Sequence, residues 1–307
     1  MKREFDKASF LAELFTFNVQ YTMLSDYADT TVMQTPEAMI RGRFSSRYNR
    51  QISEEFLLNF RTNNNSLGFS MGVGRFFTHD AMEAEAHKDL SEIKEGSIKL
   101  NSPKKIKSAL GDVIRSRRSV RDFNGNNIPF DDFSSLLYYA DGISGKLKGF
   151  DMKGQPHDLT LRTAASGGGL FPIILYIVVW HVEGLKKGIY VYQPYSNTVL
   201  FKKSVSTENL RSLAAFGGQI DPDKSAFSVI YVYNYYMNTR KYGDGALAYA
   251  LIEAGEISAN LQLSATGLGY GCCDLGGYQK QYIEDLLDLD GHTKQVIHFT
   301  IVGEENG

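Results

Sequence analysis

Cysteine is almost absent from this chain of 307 residues. The only two cysteines, Cys272 and Cys273, are adjacent, and adjacent cysteines rarely form a disulfide with each other. They also lack the CxxC spacing of a metal site, so we expect neither a disulfide framework nor a cysteine-based metal centre. The sequence predicts that both are buried as small apolar residues and that the protein is cytoplasmic.

Long apolar runs and a strong excess of charge are also missing. No stretch approaches the roughly 18 apolar residues that cross a bilayer, and the first residues do not form a charged-then-apolar leader. We therefore expect neither a transmembrane segment nor a secretory signal. The net charge of −2 gives no reason to expect a nucleic acid or an anionic membrane as a partner, while 43% hydrophobic residues support a sizeable core.

Several motifs of common catalytic sites do not occur. The chain has no GxxxxGK[ST], HExxH or GxSxG sequence. The glycines of residues 71–75 lack the third glycine of a dinucleotide-binding turn, and those of 267–271 follow a predicted helix rather than a strand. His79 and His87 have no partner at metal-ligand spacing, so we interpret both as surface residues and predict no metal site.

Residues 239–277 form the most informative stretch that is present. Its apolar and small residues recur at helical spacing, namely at Leu247, Ala250, Leu251, Ala254, Ile257, Ser258, Leu261, Ala265 and Leu268. Polar residues form another face, comprising Glu253, Glu256, Asn260 and Ser264. Lys241 and Tyr242 precede this helix, where a positive dipole would lower the pKa of either group. The alternative is a core helix after an ordinary surface lysine and tyrosine.

A basic segment follows a helix that we predict within residues 102–123. Arg117, Arg118 and Arg121 lie within five residues of one another, together with the hydroxyl of Ser119. Arginine offers forked donors that match the oxygens of a phosphate. A solvated turn or a nucleic-acid patch is the alternative, but no matching basic surface occurs elsewhere, which favours a single small phosphate.

A glycine-rich turn precedes a predicted strand at residues 175–182. Ser166, Gly167 and Gly168 begin it, and three consecutive glycines before a core strand suggest a backbone that approaches something flat and close. A flexible turn is the alternative. We predict further helices over residues 78–94, 128–140, 207–215 and 279–289, a loop over 142–154, and strands over 188–193, 198–202, 227–236 and 296–302. Interleaved helices and strands indicate an α+β or α/β protein built around one sheet.

Together these segments resemble the FMN-dependent nitroreductase superfamily. The resemblance rests on R-R-S-V-R-D-F after a helix and on R-T-A-A-S-G-G-G-L-F-P entering a strand. With K-Y-G-D-G-A-L-A-Y-A-L-I-E-A-G and G-L-G-Y-G-C-C-D-L-G-G, it looks like the azoline dehydrogenases of the streptolysin S and microcin B17 type. It covers about residues 105–303. It implies an α+β fold with a mainly antiparallel central sheet flanked by helices, an FMN-binding domain over 101–307 and an N-terminal extension over 1–100.

The resemblance also implies roles for individual residues. The FMN phosphate and ribityl chain would be held by Arg117, Arg118, Ser119 and Arg121. The flavin ring would lie beside Ser166, Gly167 and Gly168, and beside Leu275, Gly276 and Gly277 from the partner side of a dimer. Lys241 and Tyr242 match the catalytic pair, and which of them is the base stays open. The sequence departs from the family pattern at two positions, with Ala165 where proline is usual and Glu304 where arginine is frequent. The second departure removes a possible phosphate contact, so the phosphate would depend more on Arg117 and Arg118.

The activity implied is oxidation of peptide thiazoline or oxazoline rings to thiazoles or oxazoles, with FMN as cofactor. The implied partners are an azoline-containing precursor peptide, the cyclodehydratase subunits of a modifying complex and a second copy of the chain. Two alternatives remain from the sequence. One is a general NAD(P)H-dependent nitroreductase or flavin reductase, and the other is a non-catalytic scaffold subunit with the same fold.

Overall fold

A computed structural model describes Phe56, residues 67–206 and residues 220–307. The helices are α1 (Leu67–Arg75), α2 (His79–Ala86), α3 (Leu110–Ser116), α4 (Phe130–Asp141), α5 (Tyr235–Tyr242), α6 (Ala246–Leu268) and α7 (Lys280–Leu286). The strands are β1 (Ser97–Lys99), β2 (Ile143–Phe150), β3 (Pro156–Arg162), β4 (Ile173–Val179), β5 (Gly188–Gln193), β6 (Thr198–Lys203), β7 (Phe227–Asn234), β8 (Gly271–Asp274) and β9 (Lys294–Gly303). The helix predicted over 207–215 lies outside the described residues.

A seven-stranded antiparallel sheet organises this part of the chain. Its strand order is β1-β6-β5-β4-β7-β9-β8. Side chains of β4 alternate between the two faces, with Leu175 and Ile177 in one core cluster and Tyr176 and Val178 in the other. Both clusters are buried, so the sheet is covered on both faces, and the predicted α+β, mainly antiparallel fold is confirmed.

The long predicted helix is α6, and it packs on one face of the sheet beside α4. Its buried positions include Ala250, Ala254, Ile257, Leu261 and Ala265. Their spacing of three and four residues brings one stripe of small and aliphatic side chains onto the sheet. Helix α7 packs against the opposite face through Ile283.

The two cysteines lie in β8 and are free and buried. Successive residues of a strand point to opposite faces, so Cys272 joins the core cluster beneath α6 and Cys273 joins the cluster on the α7 side. The predicted buried, unbridged state of both residues is confirmed.

Two predictions around these elements are wrong. The segment predicted as a loop over 142–154 belongs to a hairpin, in which β2 pairs with β3 as a separate two-stranded sheet. Most of its residues are exposed, so no strong apolar alternation marks the strands. The strand predicted to reach residue 236 ends at Asn234, where α5 begins. Buried Asn238 explains this change, because it accepts from the Tyr233 hydroxyl and donates to the Ala246 carbonyl oxygen, which fixes α5 between β7 and α6.

The residues from 67 to 100 contribute α1, α2 and β1 to the same compact unit, which runs from Asn65 to Gly307. Thr78 precedes α2 as predicted, but its hydroxyl donates to the Arg75 carbonyl instead of capping the helix, which ends at Ala86. Helix α1 approaches α5 closely at Gly72, where an added Cβ would lie 2.8 Å from the Lys241 carbonyl oxygen. No described helix combines the length and the apolar composition that a membrane span requires.

Candidate active site

Lys241 and Tyr242 end α5 and face the glycine-rich turn between β3 and β4. A Cβ added at Gly168 would overlap the Tyr242 hydroxyl and lie 2.6 Å from Nζ of Lys241. Gly168 also has a φ of +66°, which favours glycine. The structure therefore brings the lysine–tyrosine pair and the turn together, although some 70 residues separate them in sequence.

Burial dominates the electrostatics of the pair. Lys241 is only 8% exposed, and burial lowers its pKa although the carboxylate of Glu85 opposes the shift. Burial raises the pKa of Tyr242, and nearby Tyr249 adds to that effect. The expectation that a helix dipole lowers the pKa of either group is thus wrong for Tyr242. The two residues belong to the last turn of α5 and not to the positive end of α6.

A cavity of about 630 Å³ adjoins Lys241. Its walls come from the α1–α2 junction, from the β2–β3 hairpin and from the glycine-rich turn. The side chains of Phe76, Phe77, Leu147, Phe150 and Leu159 make it largely apolar. Lys241 also lies over the Phe76 ring, with Nζ 4.9 Å from the ring centroid. The amine therefore stands at the edge of a site with room for an apolar ring.

Charged residues that the sequence did not single out also line this cavity, namely Glu85, Lys88 and Arg162. Lys88 pairs with Glu85 and donates to the Leu170 carbonyl oxygen over 2.8 Å, while buried Arg162 pairs with Asp141 over 2.7 Å. Phe76 and Phe77, which directly follow the glycines of residues 71–75, are cavity residues that the sequence analysis also did not identify.

The polar face of α6 holds the glycine-rich segment instead of facing water. Glu253 accepts from the backbone N–H of Ile173, Glu256 accepts from that of Ala165, and Asn260 donates to the Thr163 carbonyl oxygen. Burial raises the pKa of Glu253 to about 8. The sequence marked these side chains as a polar face but did not reveal their partners.

The basic segment lies beside the C-terminal half of α6. Nη1 of Arg117 donates to Oε1 of Gln262 over 3.1 Å, and the Val120 N–H donates to the Cys272 carbonyl oxygen. The segment therefore packs against β8, and Leu275, Gly276 and Gly277 follow directly after that strand. Ser119 is exposed, and its backbone pairs with that of Cys272 as a single parallel β-pair outside the regular strands. The arginines and the glycine-rich exit thus belong to one region of the chain.

These two regions are far apart along α6. Gly167 packs on Tyr249, where an added Cβ would lie 3.1 Å from the tyrosine Cβ, whereas Arg117 binds Gln262. Thirteen residues of helix correspond to about 20 Å. Within one chain, the turn at Ser166, Gly167 and Gly168 therefore lies beside Lys241 and Tyr242. The basic segment lies beside β8, in a different region.

The residues present fit FMN in chemical terms. Within the described ranges, the guanidinium groups of Arg118 and Arg121 donate only to backbone carbonyls, so further donors remain for a phosphate. An added Cβ at Gly169 or Gly276 would meet no atom within 4 Å, so a flat ring can come against the backbone at either position. Glu304, which stands where arginine is frequent in the family pattern, accepts a hydrogen bond from Asn126.

His79 is exposed, as predicted, but it has partners that the sequence did not indicate. Its Nδ1 lies 2.9 Å from Oδ2 of Asp151, which also lies 3.3 Å from Nε2 of His157. More than 70 residues separate His79 from these partners, so no local spacing could indicate the contact.

Burial raises the pKa of the Cys272 thiol, in keeping with the predicted inert role of that residue.

Comparison with known proteins identifies the relatives of this chain. The model of the Nitroreductase family matches residues 114–304. MJ1384 of Methanocaldococcus jannaschii, whose name assigns it to the nitroreductases, is 29% identical over 180 residues, which cover 59% of this chain and 84% of that protein. The family match supports FMN as the cofactor.

Two solved structures share the fold. One, from Ralstonia eutropha JMP134 and described as a nitroreductase, has a TM-score of 0.56 at 20% identity and covers 70% of this chain and 92% of its own. The other belongs to the Escherichia coli microcin synthetase McbBCD complex with truncated pro-MccB17 bound. It has a TM-score of 0.54 at 20% identity and covers all of both chains.

Proposed function

Since the chain belongs to the nitroreductase family, we propose that it is the FMN-dependent dehydrogenase that oxidises thiazoline and oxazoline rings of a modified peptide. The observation that carries this proposal is the contact between Lys241, Tyr242 and the turn at Gly168, at the edge of an apolar cavity. A general nitroreductase that only passes hydride to and from its flavin needs no buried amine beside the glycine-rich turn. Removal of a proton from carbon, in contrast, needs a base.

The reaction removes two hydrogens from one ring. FMN, when bound, supplies the acceptor for the hydride that leaves one carbon. The other hydrogen leaves the former α-carbon as a proton, and the adjacent C=N and carbonyl groups make that carbon acidic. Lys241 is suited to take this proton, because its lowered pKa leaves more of the amine neutral. Tyr242 has a raised pKa, so its phenol keeps its proton and serves as a hydrogen-bond donor.

A peptide substrate agrees with the form of the cavity. The exposed hairpin offers Leu147, Phe150 and Leu161 along the same site, which suits the apolar body of a five-membered ring and its flanking residues. The fold likeness over the whole chain to a member of a microcin synthetase complex with bound pro-MccB17 adds support. We propose a precursor peptide with azoline rings as the substrate and cyclodehydratase subunits as partners.

A homodimer with two FMN sites is part of the proposal. Gly167 and Arg117 of one chain contact α6 at positions thirteen residues apart, so a second copy would supply the missing half of each site. Large aliphatic side chains are exposed nearby on α3 and α6, namely Leu110, Ile114, Leu251 and Ile252. Packing of these helices about a two-fold axis would cover them. The assignments of Arg117, Arg118, Ser119, Arg121, Ser166, Gly167, Gly168, Leu275, Gly276 and Gly277 to FMN belong to this proposal.

The decisive experiment follows the mass of a cyclised precursor peptide. The FMN-loaded chain, with its cyclodehydratase partners, should convert each azoline with a loss of about 2 Da, the mass of the two hydrogens that FMN chemistry removes. A chain without bound flavin would favour the scaffold alternative. A flavin-loaded chain that leaves the azolines unchanged would refute the proposal.

General nitroreductase activity is the second candidate, and the name of the relative MJ1384 favours it. Under this alternative NADPH should reduce the bound flavin rapidly and a nitroaromatic should reoxidise it. Under the azoline proposal the azoline peptide should bleach the flavin faster than NADPH does. Anaerobic stopped-flow measurements with each reductant separate the two candidates.

A further inference from the structure

Two histidines and an aspartate meet where the tip of the β2–β3 hairpin contacts α2. Oδ2 of Asp151 lies 2.9 Å from Nδ1 of His79 and 3.3 Å from Nε2 of His157. These three atoms all lie within 4.8 Å of one another. They come from the first residue of α2, from the turn after β2 and from β3, so the cluster joins three elements.

The spacing of these atoms suits a tetrahedral ion. Zinc binds imidazole nitrogen and carboxylate oxygen at about 2.0–2.2 Å, so neighbouring ligand atoms in a tetrahedron stand about 3.3 Å apart. The two separations between Asp151 and the histidines are close to that edge length. The shorter separation joins Nδ1 of His79 and Oδ2 of Asp151. The His79 side chain is half exposed, and a small rotation of it would lengthen this separation.

Neighbouring groups orient the three side chains from outside. Oδ1 of Asp151 accepts backbone N–H groups of Lys153 and Gln155 over 2.8 and 2.9 Å, which directs Oδ2 toward the histidines. Oε2 of Glu83 lies 3.2 Å from Nδ1 of His157, the nitrogen that faces away from Asp151. A carboxylate on the remote nitrogen of a ligating histidine is the usual outer support of a metal site.

We propose that His79, Asp151 and His157 bind a divalent transition-metal ion of the zinc type through Nδ1, Oδ2 and Nε2, with water as the fourth ligand. Asp151 and His157 are buried, whereas half-exposed His79 leaves the ion an entry path and room for that water. One carboxylate on the ion and the carboxylate of Glu83 behind His157 balance the two positive charges.

The bound ion would fasten the hairpin wall of the cavity. Among the described residues, one backbone hydrogen bond joins the hairpin to the α2 side, in which the Met152 N–H donates to the Phe77 carbonyl oxygen over 2.7 Å. Phe77 and Met82 on the α2 side, and Phe150 and Leu159 on the hairpin, line the cavity. Metal binding would therefore restrain the two walls relative to each other without contacting Lys241.

The first test measures metal binding by the full chain. After removal of metals with a chelator, the protein is titrated with Zn²⁺ alone and with Co²⁺ alone, followed by metal analysis and visible absorption. We expect one equivalent per chain and the intense absorption of tetrahedral Co²⁺. His79→Ala should bind at least 100-fold more weakly, and Glu83→Gln about 10–100-fold more weakly, as for other outer-shell changes. His292→Ala, which alters an exposed histidine elsewhere, should bind like the unaltered chain.

The second test measures the restraint on the hairpin. Lys146, Lys148 and Lys153 are exposed trypsin sites within it, and cleavage there requires the hairpin to open. Zn²⁺ should slow their cleavage at least tenfold in the unaltered chain and should have no effect in His79→Ala. Absence of stoichiometric binding, or equal binding by a folded His79→Ala chain, would overturn the site. Stoichiometric binding without protection of the hairpin would overturn the restraint.

Discussion

Burial separates the acid–base properties of two neighbouring residues, Lys241 and Tyr242. It lowers the pKa of the amine and raises that of the phenol, so the neutral base and the protonated donor coexist over a common pH range. A protonated amine cannot accept a proton. We therefore expect kcat/KM for azoline oxidation to rise with pH through a pKa below the ordinary lysine value.

Two variants test whether this rise in kcat/KM with pH reports the ionisation of Lys241 or that of Tyr242. Lys241→Ala should keep its flavin but lose azole formation by about 10²-fold or more, the usual contribution of a general base. Tyr242→Phe should be slower than the unaltered enzyme but keep the same rise with pH. Mass spectrometry of the peptide products and flavin absorbance provide both readouts. If the rise disappears in Tyr242→Phe while Lys241→Ala retains it, the roles are reversed.

Gly168 is the residue whose lack of a side chain the site requires most directly. Gly168→Ala should cost about 1–3 kcal/mol of stability because of its positive φ, and the added Cβ should also displace Lys241 and Tyr242. Gly184→Ala is the matched control, since Gly184 has a φ of +75° and no neighbour within 4 Å of an added Cβ.

Both variants should have lower denaturation midpoints, but only Gly168→Ala should lose azole formation. Unfolding curves and peptide mass spectrometry distinguish the two effects. Equal activity of the two alanine variants would mean that the turn need not approach the lysine–tyrosine pair.

At the scale of elements, the contact between α1 and α5 depends on one glycine. A Cβ at Gly72 would lie 2.8 Å from the Lys241 carbonyl oxygen, and backbone cannot move aside as a flexible side chain does. We expect Gly72→Ala to destabilise the protein by about 1–3 kcal/mol through overpacking. Gly68→Ala, on the same helix with open space around it, should be neutral or stabilise by up to about 1 kcal/mol.

Urea unfolding of both variants checks this pair. If Gly72→Ala is as stable as Gly68→Ala, α1 does not pack on α5 as the structure describes.

The elements that the sequence predicted well are those with a clear periodicity. The strands around Ile177 and Val229 and the helix through Ile257 have one or both faces buried, so their apolar spacing determines their type. The hairpin over residues 143–162 was missed because most of its side chains face water. Helix α5 was missed because Asn238, a polar residue, provides its anchoring contacts.

The candidate site was predictable in parts. Lys241, Tyr242 and the turn at Gly168 were identified from motifs, but their mutual contact depends on a fold that no spacing encodes. The trio of His79, Asp151 and His157 depends wholly on tertiary contacts, because its members lie on separate elements. Sequence patterns therefore indicate residues with unusual local requirements, and long-range contacts decide which of them act together.

For the whole molecule, the separation of the two regions along α6 predicts complementation between inactive chains. The double variant Arg117→Ala, Arg118→Ala should lose FMN, because charge-assisted bonds to the phosphate are lost, each worth about 1.5–3 kcal/mol. Lys241→Ala should retain FMN but lack the base. After subunits of the two variants are mixed and exchanged with added FMN, half of the dimers are mixed, and each has one intact site.

Azole formation should then recover to about a quarter of the unaltered activity, as a two-fold dimer with shared sites requires. Mass spectrometry of intact dimers, which separates the two variants by their masses, is the control for the exchange itself. No recovery after proven exchange would mean that each site is built from one chain, and light scattering that detects only monomers with flavin would refute the dimer.

The alternation of Cys272 and Cys273 across β8 gives the molecule two built-in reporters. Each thiol is buried in a different core cluster, one beneath α6 and one on the α7 side. A thiol reagent can reach either sulfur only when its own layer opens, so labelling rates measure the local opening free energy of each layer. If the layers open independently, the single-serine variants Cys272→Ser and Cys273→Ser will label at different rates. If they open only in global unfolding, the two rates will coincide.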